Sequence, residues 1–182
     1  MASSAASGQS PRAREIAAAA LALLEEDGPD GLSMRRVAER VGIRAPSLYK
    51  HVPDKEALEA AIISEGFADL AEAFEALAPA GPDALAGVMR AYRGFALRRP
   101  HLYRLMTGRP LARDLLAPGV EARAAQPLLE ATGGDDDLAR AAWAFAHGMT
   151  ILELNGRFPP GADLDRAWRA GVEALAAAGG AP

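Results

Sequence analysis

The densest group of side chains suited to one kind of chemistry lies between Ser33 and Lys55. Lys50 can donate to the acceptor atoms on a guanine edge, and the hydroxyl of Ser47 can contact several bases. Ser33, Tyr49, His51 and Lys55 suit phosphate oxygens, contacts that position a protein on a duplex without reading its sequence. Arg44, Ala45 and Pro46 open the same segment and can touch a groove from there. Upstream, Arg12 and Arg14 can reach phosphates or an adjacent minor groove, although two arginines near a terminus are more often solvated surface.

Such a probe needs a rigid mount, and the neighbouring residues supply one. Ser33 can accept from the exposed amides of a helix opening at Met34, and Val37, Ala38 and Val41 then share one apolar face over about two turns. Gly42 permits a tight exit, Ile43 plugs the turn, and Pro46 is placed as the first residue of a second short helix carrying Ser47, Leu48, Tyr49, Lys50 and His51. Leu48 can turn inward while Ser47, Lys50 and the polar end of Tyr49 stay outside. The expected unit is a compact helix-turn-helix.

Composition narrows the remaining choices. The chain has 182 residues, 50% hydrophobic and 24% charged, enough for one substantial core. Its apolar fraction is dominated by alanine and poor in aromatics, which favours close-packed helices over strands, so the expected fold is all-α. No apolar run approaches the roughly 18 residues of a membrane span, and the start MASSAASGQS lacks the features of an export signal, so a cytoplasmic location is expected. With no cysteine and only three histidines, neither a metal nor a cofactor is expected. The formal net charge is −4, yet residues 1–55 hold eight basic against seven acidic side chains and residues 56–182 hold twelve against seventeen. A DNA-binding surface needs only a local basic footprint. Catalysis is a poor reading: the chain carries no His-x-x-x-His, GxGxxG, phosphate-binding loop or nucleophile elbow.

Along the chain, residues 1–9 read as a disordered arm. Ser10 and Pro11 cap and open a helix to about Glu26, and Asp27 to Gly31 ends it. After the helix-turn-helix, Asp54 can cap a long helix to about Leu77, whose Ile63, Phe67, Leu70, Phe74 and Leu77 recur at helical spacing. This helix is expected to connect a head at 10–54 to a larger domain at 55–178. Another helix is predicted from Pro82 to about Arg98, then a short piece through Met106. Residues 111–132, holding Pro118, Gly119 and Pro127, predict one broken helix or two short ones. Asp137 is expected to cap a helix over 138–156, and Asp163 a final one, for about nine helices in all.

The helix over 138–156 has two apolar lines, one with Phe145, Met149 and Leu152 and one with Trp143, His147 and Leu154. Packing against its own domain and against a second copy would use both, so a homodimer is expected. Its interface is placed on Phe145, Met149, Leu152, Leu164, Trp168, Val172 and Leu175, with a four-helix contact expected.

Ser33, Val37, Ala38, Gly42, Ile43, Leu48, Tyr49, His51, Lys55 and Leu58 stand at the spacing of the amino-terminal pattern of the tetracycline-repressor-like (TetR) family of bacterial transcription regulators, which the chain resembles. Pro46 and Val52 look like the tetracycline-repressor branch, while Arg44 replaces the Ser or Thr often found after the turn. Trp143, His147 and Gly148, followed by Leu152-Glu153-Leu154, resemble the regulatory domain of a branch named for tryptophan, histidine and glycine (WHG). The resemblance implies a homodimeric repressor that binds a pseudo-palindromic double-stranded DNA operator and is released by a small-molecule effector. It also implies an effector pocket, for which Phe67, Met89, Tyr92, Phe95, Tyr103, Met106, Trp143, His147 and Thr150 offer aromatic, soft and a few polar surfaces. The rival reading is a ligand-independent helical protein-interaction module, which sequence-specific retention of DNA would exclude.

Overall fold

In a computed structural model the described residues are 10–77, 81 and 83–179, and they form nine α-helices and two single 3-10 turns. The expected arm at 1–9 lies outside them, as does Pro82, the expected start of the helix that runs to Arg98. The chain divides into two compact units.

The first unit holds residues up to Phe67 together with 99–121. Helix α1 (Pro11–Asp27) opens on Ser10, whose hydroxyl accepts from the Ala13 amide, and buries Ile16, Ala17, Ala20, Leu23 and Leu24. A 3-10 turn (Pro29–Gly31) leads to α2 (Met34–Arg40), capped by Ser33 Oγ accepting from the Arg36 amide at 3.3 Å. Its exit is a Schellman turn: the Gly42 amide donates to the Glu39 carbonyl and the Ile43 amide to the Ala38 carbonyl, with Gly42 at φ +69°. Helix α3 is shorter than expected, Ala45–Leu48, and Pro46 is its second residue rather than its first. Tyr49, Lys50 and His51 therefore lie in the turn that follows, closed by the His51 and Val52 amides donating to the Leu48 carbonyl.

Helix α4 (Lys55–Leu77) starts on Asp54, whose Oδ1 accepts from the Ala57 amide at 2.8 Å; its residues to Phe67 belong to the first unit and those from Ala68 to the second. Helix α6 (Pro100–Thr107) packs on α1, with the His101 ring against Gly28, and leans Leu102 and Met106 on Gly66 of α4. A β-carbon at Gly66 would come within 2.6 Å of the Met106 sulfur, so the small residue permits this close approach.

The second unit is built on α5 (Ala84–Arg98), α8 (Asp136–Leu154) and α9 (Leu164–Gly179), each packed on the other two, with α7 (Val120–Ala131) falling almost wholly within it. Residues 111–132 resolve into a 3-10 turn (Arg113–Leu115) and α7, which accommodates Pro127 without breaking. The residue four back, Arg123, is exposed, so water can satisfy the carbonyl that Pro127 leaves without a donor. The cap of α8 is Asp135, not Asp137: Asp135 Oδ1 accepts from the amides of Asp137 and Leu138. Asp163 caps α9 as expected, accepting from the Arg166 amide at 3.0 Å. A polar tie holds the three long helices: Arg93 of α5 donates two bonds to Glu153 of α8, at 2.7 and 2.9 Å, and one to Asp165 of α9 at 2.6 Å. Those carboxylates hold the guanidinium firmly in its charged form.

Candidate nucleic-acid interface and regulatory residues

The head shows a division of its basic side chains. Arg12 pairs with Glu15, Arg35 with Glu39, Arg36 with Asp27 and Arg40 with Glu26, so each of these guanidiniums has a carboxylate beside it. Arg12 also donates to the Val41 carbonyl at 3.3 Å, which ties α1 to the end of α2. Arg44 and Lys50, by contrast, are exposed at the two ends of α3 and make no ion pair among the described residues. Arg14, at the start of α1, is likewise exposed and makes no ion pair among the described residues, so positive charge free to meet phosphates or base edges lies around the second helix of the helix-turn-helix and at the start of α1.

The same element displays the other expected contacts. Tyr49 is 49% exposed although it is a large ring, and Pro46 and His51 are exposed beside it. Ser47 and Ala45 are partly covered, and Leu48 is fully buried, pinning α3 from beneath. Ser33 is partly covered and engaged as the α2 cap, while Lys55 reaches Glu59 at 3.7 Å. The side chain of Arg44 caps no amide of α3; Pro46 carries no N–H, and the Ser47 and Leu48 amides donate to the Arg44 carbonyl. The pairing of Arg36 and Arg40 was not visible in the sequence, because their partners lie nine and fourteen residues away.

The residues expected around an effector divide between the units. Phe67, Tyr103 and Met106 lie in the first, with Tyr103 and Met106 buried. Met89, Tyr92 and Phe95 are buried residues of α5 in the second. On α8, Thr150 is completely buried, and its hydroxyl has no hydrogen-bond partner among the described residues. Such a group is costly to leave unsatisfied and invites an acceptor or donor from a bound molecule. One turn before it, His147 is partly covered, and burial pushes its pKa below the ordinary imidazole value, favouring the neutral ring. Trp143 stacks obliquely on His147, with ring centroids 6.2 Å apart, but is itself 52% exposed.

Of the residues expected between two copies, Phe145 and Trp168 meet each other within one chain, edge to face at 5.5 Å, and Phe145 also covers Gly171. Trp168 lies 6% exposed under the Arg93 guanidinium, 5.6 Å from its ring. Leu164, Val172, Leu175 and Met149 are partly covered, whereas Leu152 is 42% exposed. The outward arc of α8 instead carries Ala141, Ala144, Gly148 and Leu152 in one line, and that of α9 carries Ala167, Ala170, Ala174 and Ala177. A β-carbon at Gly148 would meet nothing within 4 Å.

Known proteins were compared with this geometry. Residues 16–62 match the family described as bacterial regulatory proteins, tetR family, and residues 85–175 match the tetracyclin repressor-like C-terminal domain. An HTH-type transcriptional regulator of Mycobacterium tuberculosis is 31% identical over 78% of this chain and 69% of its own length. A solved structure from Rhodococcus sp. RHA1, a protein of unknown function, superposes with a TM-score of 0.73 at 28% identity, covering 94% of this chain and 96% of that one. A TetR variant from Acinetobacter baumannii AYE, solved in complex with minocycline, superposes at 0.62 with 25% identity, covering 90% and 93%.

Proposed function

We propose a function from one premise: this chain belongs to the tetR family of bacterial regulatory proteins. The family is one of DNA-binding transcription regulators rather than enzymes, typically ligand-responsive repressors. This chain acts as such a repressor, a homodimer on a pseudo-palindromic operator, released when a small molecule occupies its second unit. Among the described residues no helix is long and apolar enough to cross a membrane; a cytoplasmic site of action goes with the proposed DNA role. Trp143, His147 and Gly148 support placing the second unit in the WHG branch.

The observation that carries the DNA reading is the freedom of Arg44 and Lys50 at the two ends of α3, with Arg14 at the start of α1, while four other arginines of the head are paired. Lys50 reads base edges with Ser47; Tyr49, His51, Ser33 and Lys55 hold phosphates. Lys50→Ala is expected to cut the affinity ratio between a selected operator and a scrambled duplex by about tenfold or more, the worth of a good base contact at about 1–3 kcal/mol. Lys55→Ala and Tyr49→Phe weaken both complexes evenly. Fluorescence anisotropy on both duplexes at one salt concentration makes the comparison, and an unchanged ratio for Lys50→Ala removes it from base reading.

For assembly, the engagement of Phe145 and Trp168 within the chain favours the small-residue faces of α8 and α9 as the surface where two copies meet. Ala144, Gly148, Ala170 and Ala174 let helices approach closely, and Leu152 adds apolar area. Ala144→Glu combined with Ala170→Glu places charge on that face without touching the chain's own core. Sedimentation equilibrium is expected to find a dimer for the parent at micromolar concentration and a monomer for the variant; a variant still dimeric would move the interface elsewhere.

The effector site centres on the Thr150 hydroxyl, with Met89, Tyr92 and Phe95 of α5 and neutral His147 as neighbouring surface. An apolar molecule with one or two polar groups suits that set. If it prefers the geometry that DNA disfavours, each ligand weakens the other by the same factor.

A further inference from the structure

A cavity of about 400 Å³ opens in the first unit, between the start of α4, the end of α6 and the segment 109–116. Its floor is apolar, with Ala60 and Ile63 of α4 facing Leu105 and Met106 of α6, and Leu116 closing one side. Its charge comes from Lys55, Glu56, Glu59 and Arg109, two cations and two anions. They are not equally fixed. The Glu59 side chain is only 12% exposed and accepts from Arg109 at 2.5 Å with Lys55 at 3.7 Å, whereas Arg109 and Lys55 are 63% and 55% exposed. The wall therefore presents a held carboxylate, and the cations beside it sit at the wet rim.

We propose that this cavity is a second ligand site, built for a small amphipathic cation: an apolar body on the Ala60, Ile63, Leu105 and Met106 floor and a protonated amine or quaternary ammonium on Glu59. Such a ligand takes over the place of the Arg109 guanidinium, which at 63% exposed swings into water. An anion of the same shape has to enter beside a carboxylate that cannot leave. The volume lies within the range of small-molecule sites.

Binding is tested on the full-length protein, without DNA, by titration calorimetry with three molecules that share one body: 4-phenylbutylamine, 4-phenylbutanol and 4-phenylbutyrate. The amine is expected to bind at least tenfold more tightly than the alcohol, and the acid most weakly. Glu59→Gln brings the amine down to the alcohol's level. Arg109→Ala, a change at an exposed side chain that leaves the fold intact, tightens the amine severalfold by removing its internal competitor. An acid that binds better than the amine, or an amine indifferent to both substitutions, overturns the assignment. Because Lys55 borders the cavity, the bound amine should also weaken duplex retention. That consequence rests on the proposed function, and its failure alone, with calorimetry as expected, would count against the DNA role of Lys55 and not against the site.

Discussion

Leu48→Ala is expected to destabilise the protein by about 2–5 kcal/mol, the range for truncating a large side chain in a packed core, and to abolish operator retention. Leu48 is the fully buried residue of α3, a helix of only four residues. A helix that short has no stability of its own, because nucleation costs more than its few bonds return. Its orientation is set by Leu48 beneath it and by the Schellman turn before it. Without that anchor Arg44, Ser47 and Lys50 keep their chemistry and lose their common direction. Urea unfolding and anisotropy on the same preparation test this. Retained operator affinity in a destabilised Leu48→Ala protein would mean that α3 is held by something other than its core contact.

Trp168→Ala has an effect of similar size in the second unit, about 3–5 kcal/mol. The indole fills the space between α5, α8 and α9, with Phe145 on its edge and Arg93 over its face. Its loss leaves a cavity and also frees the Phe145 ring that packs between α8 and α9. The expected outcome is a lower unfolding midpoint together with weaker dimerisation, while Trp168→Phe, which keeps an aromatic partner for Phe145, loses less of both. An unchanged midpoint for Trp168→Ala would contradict the core role given to this residue.

What the sequence made legible was local. The caps at Ser10, Ser33, Asp54 and Asp163 each sit within three residues of the amide they serve, and Gly42 marks a turn that needs positive φ, so helix starts and the helix-turn-helix could be read directly. Among Asp135, Asp136 and Asp137, pattern could not say which carboxylate turns back on the helix; the backbone chooses Asp135. Nor could helical spacing tell whether Phe145 faces its own chain or another, because an apolar line is required in either case. That depends on Trp168 and Gly171, more than twenty residues further on. The Glu59–Arg109 pair joins residues fifty apart, which no local pattern announces. The buried, unsatisfied hydroxyl of Thr150 is likewise a property of packing, not of residue type.

The central claim is sequence-specific DNA binding by a dimer through the surface around α3. The most direct measurement is selection of bound duplexes from a random pool, followed by anisotropy titration of the recovered site and its scramble at about 0.15 M salt. Enrichment of a two-fold symmetric sequence is expected, bound by one dimer at least about a thousandfold more tightly than the scramble. A pool that returns no common site, or a recovered duplex bound no better than its scramble, would contradict it.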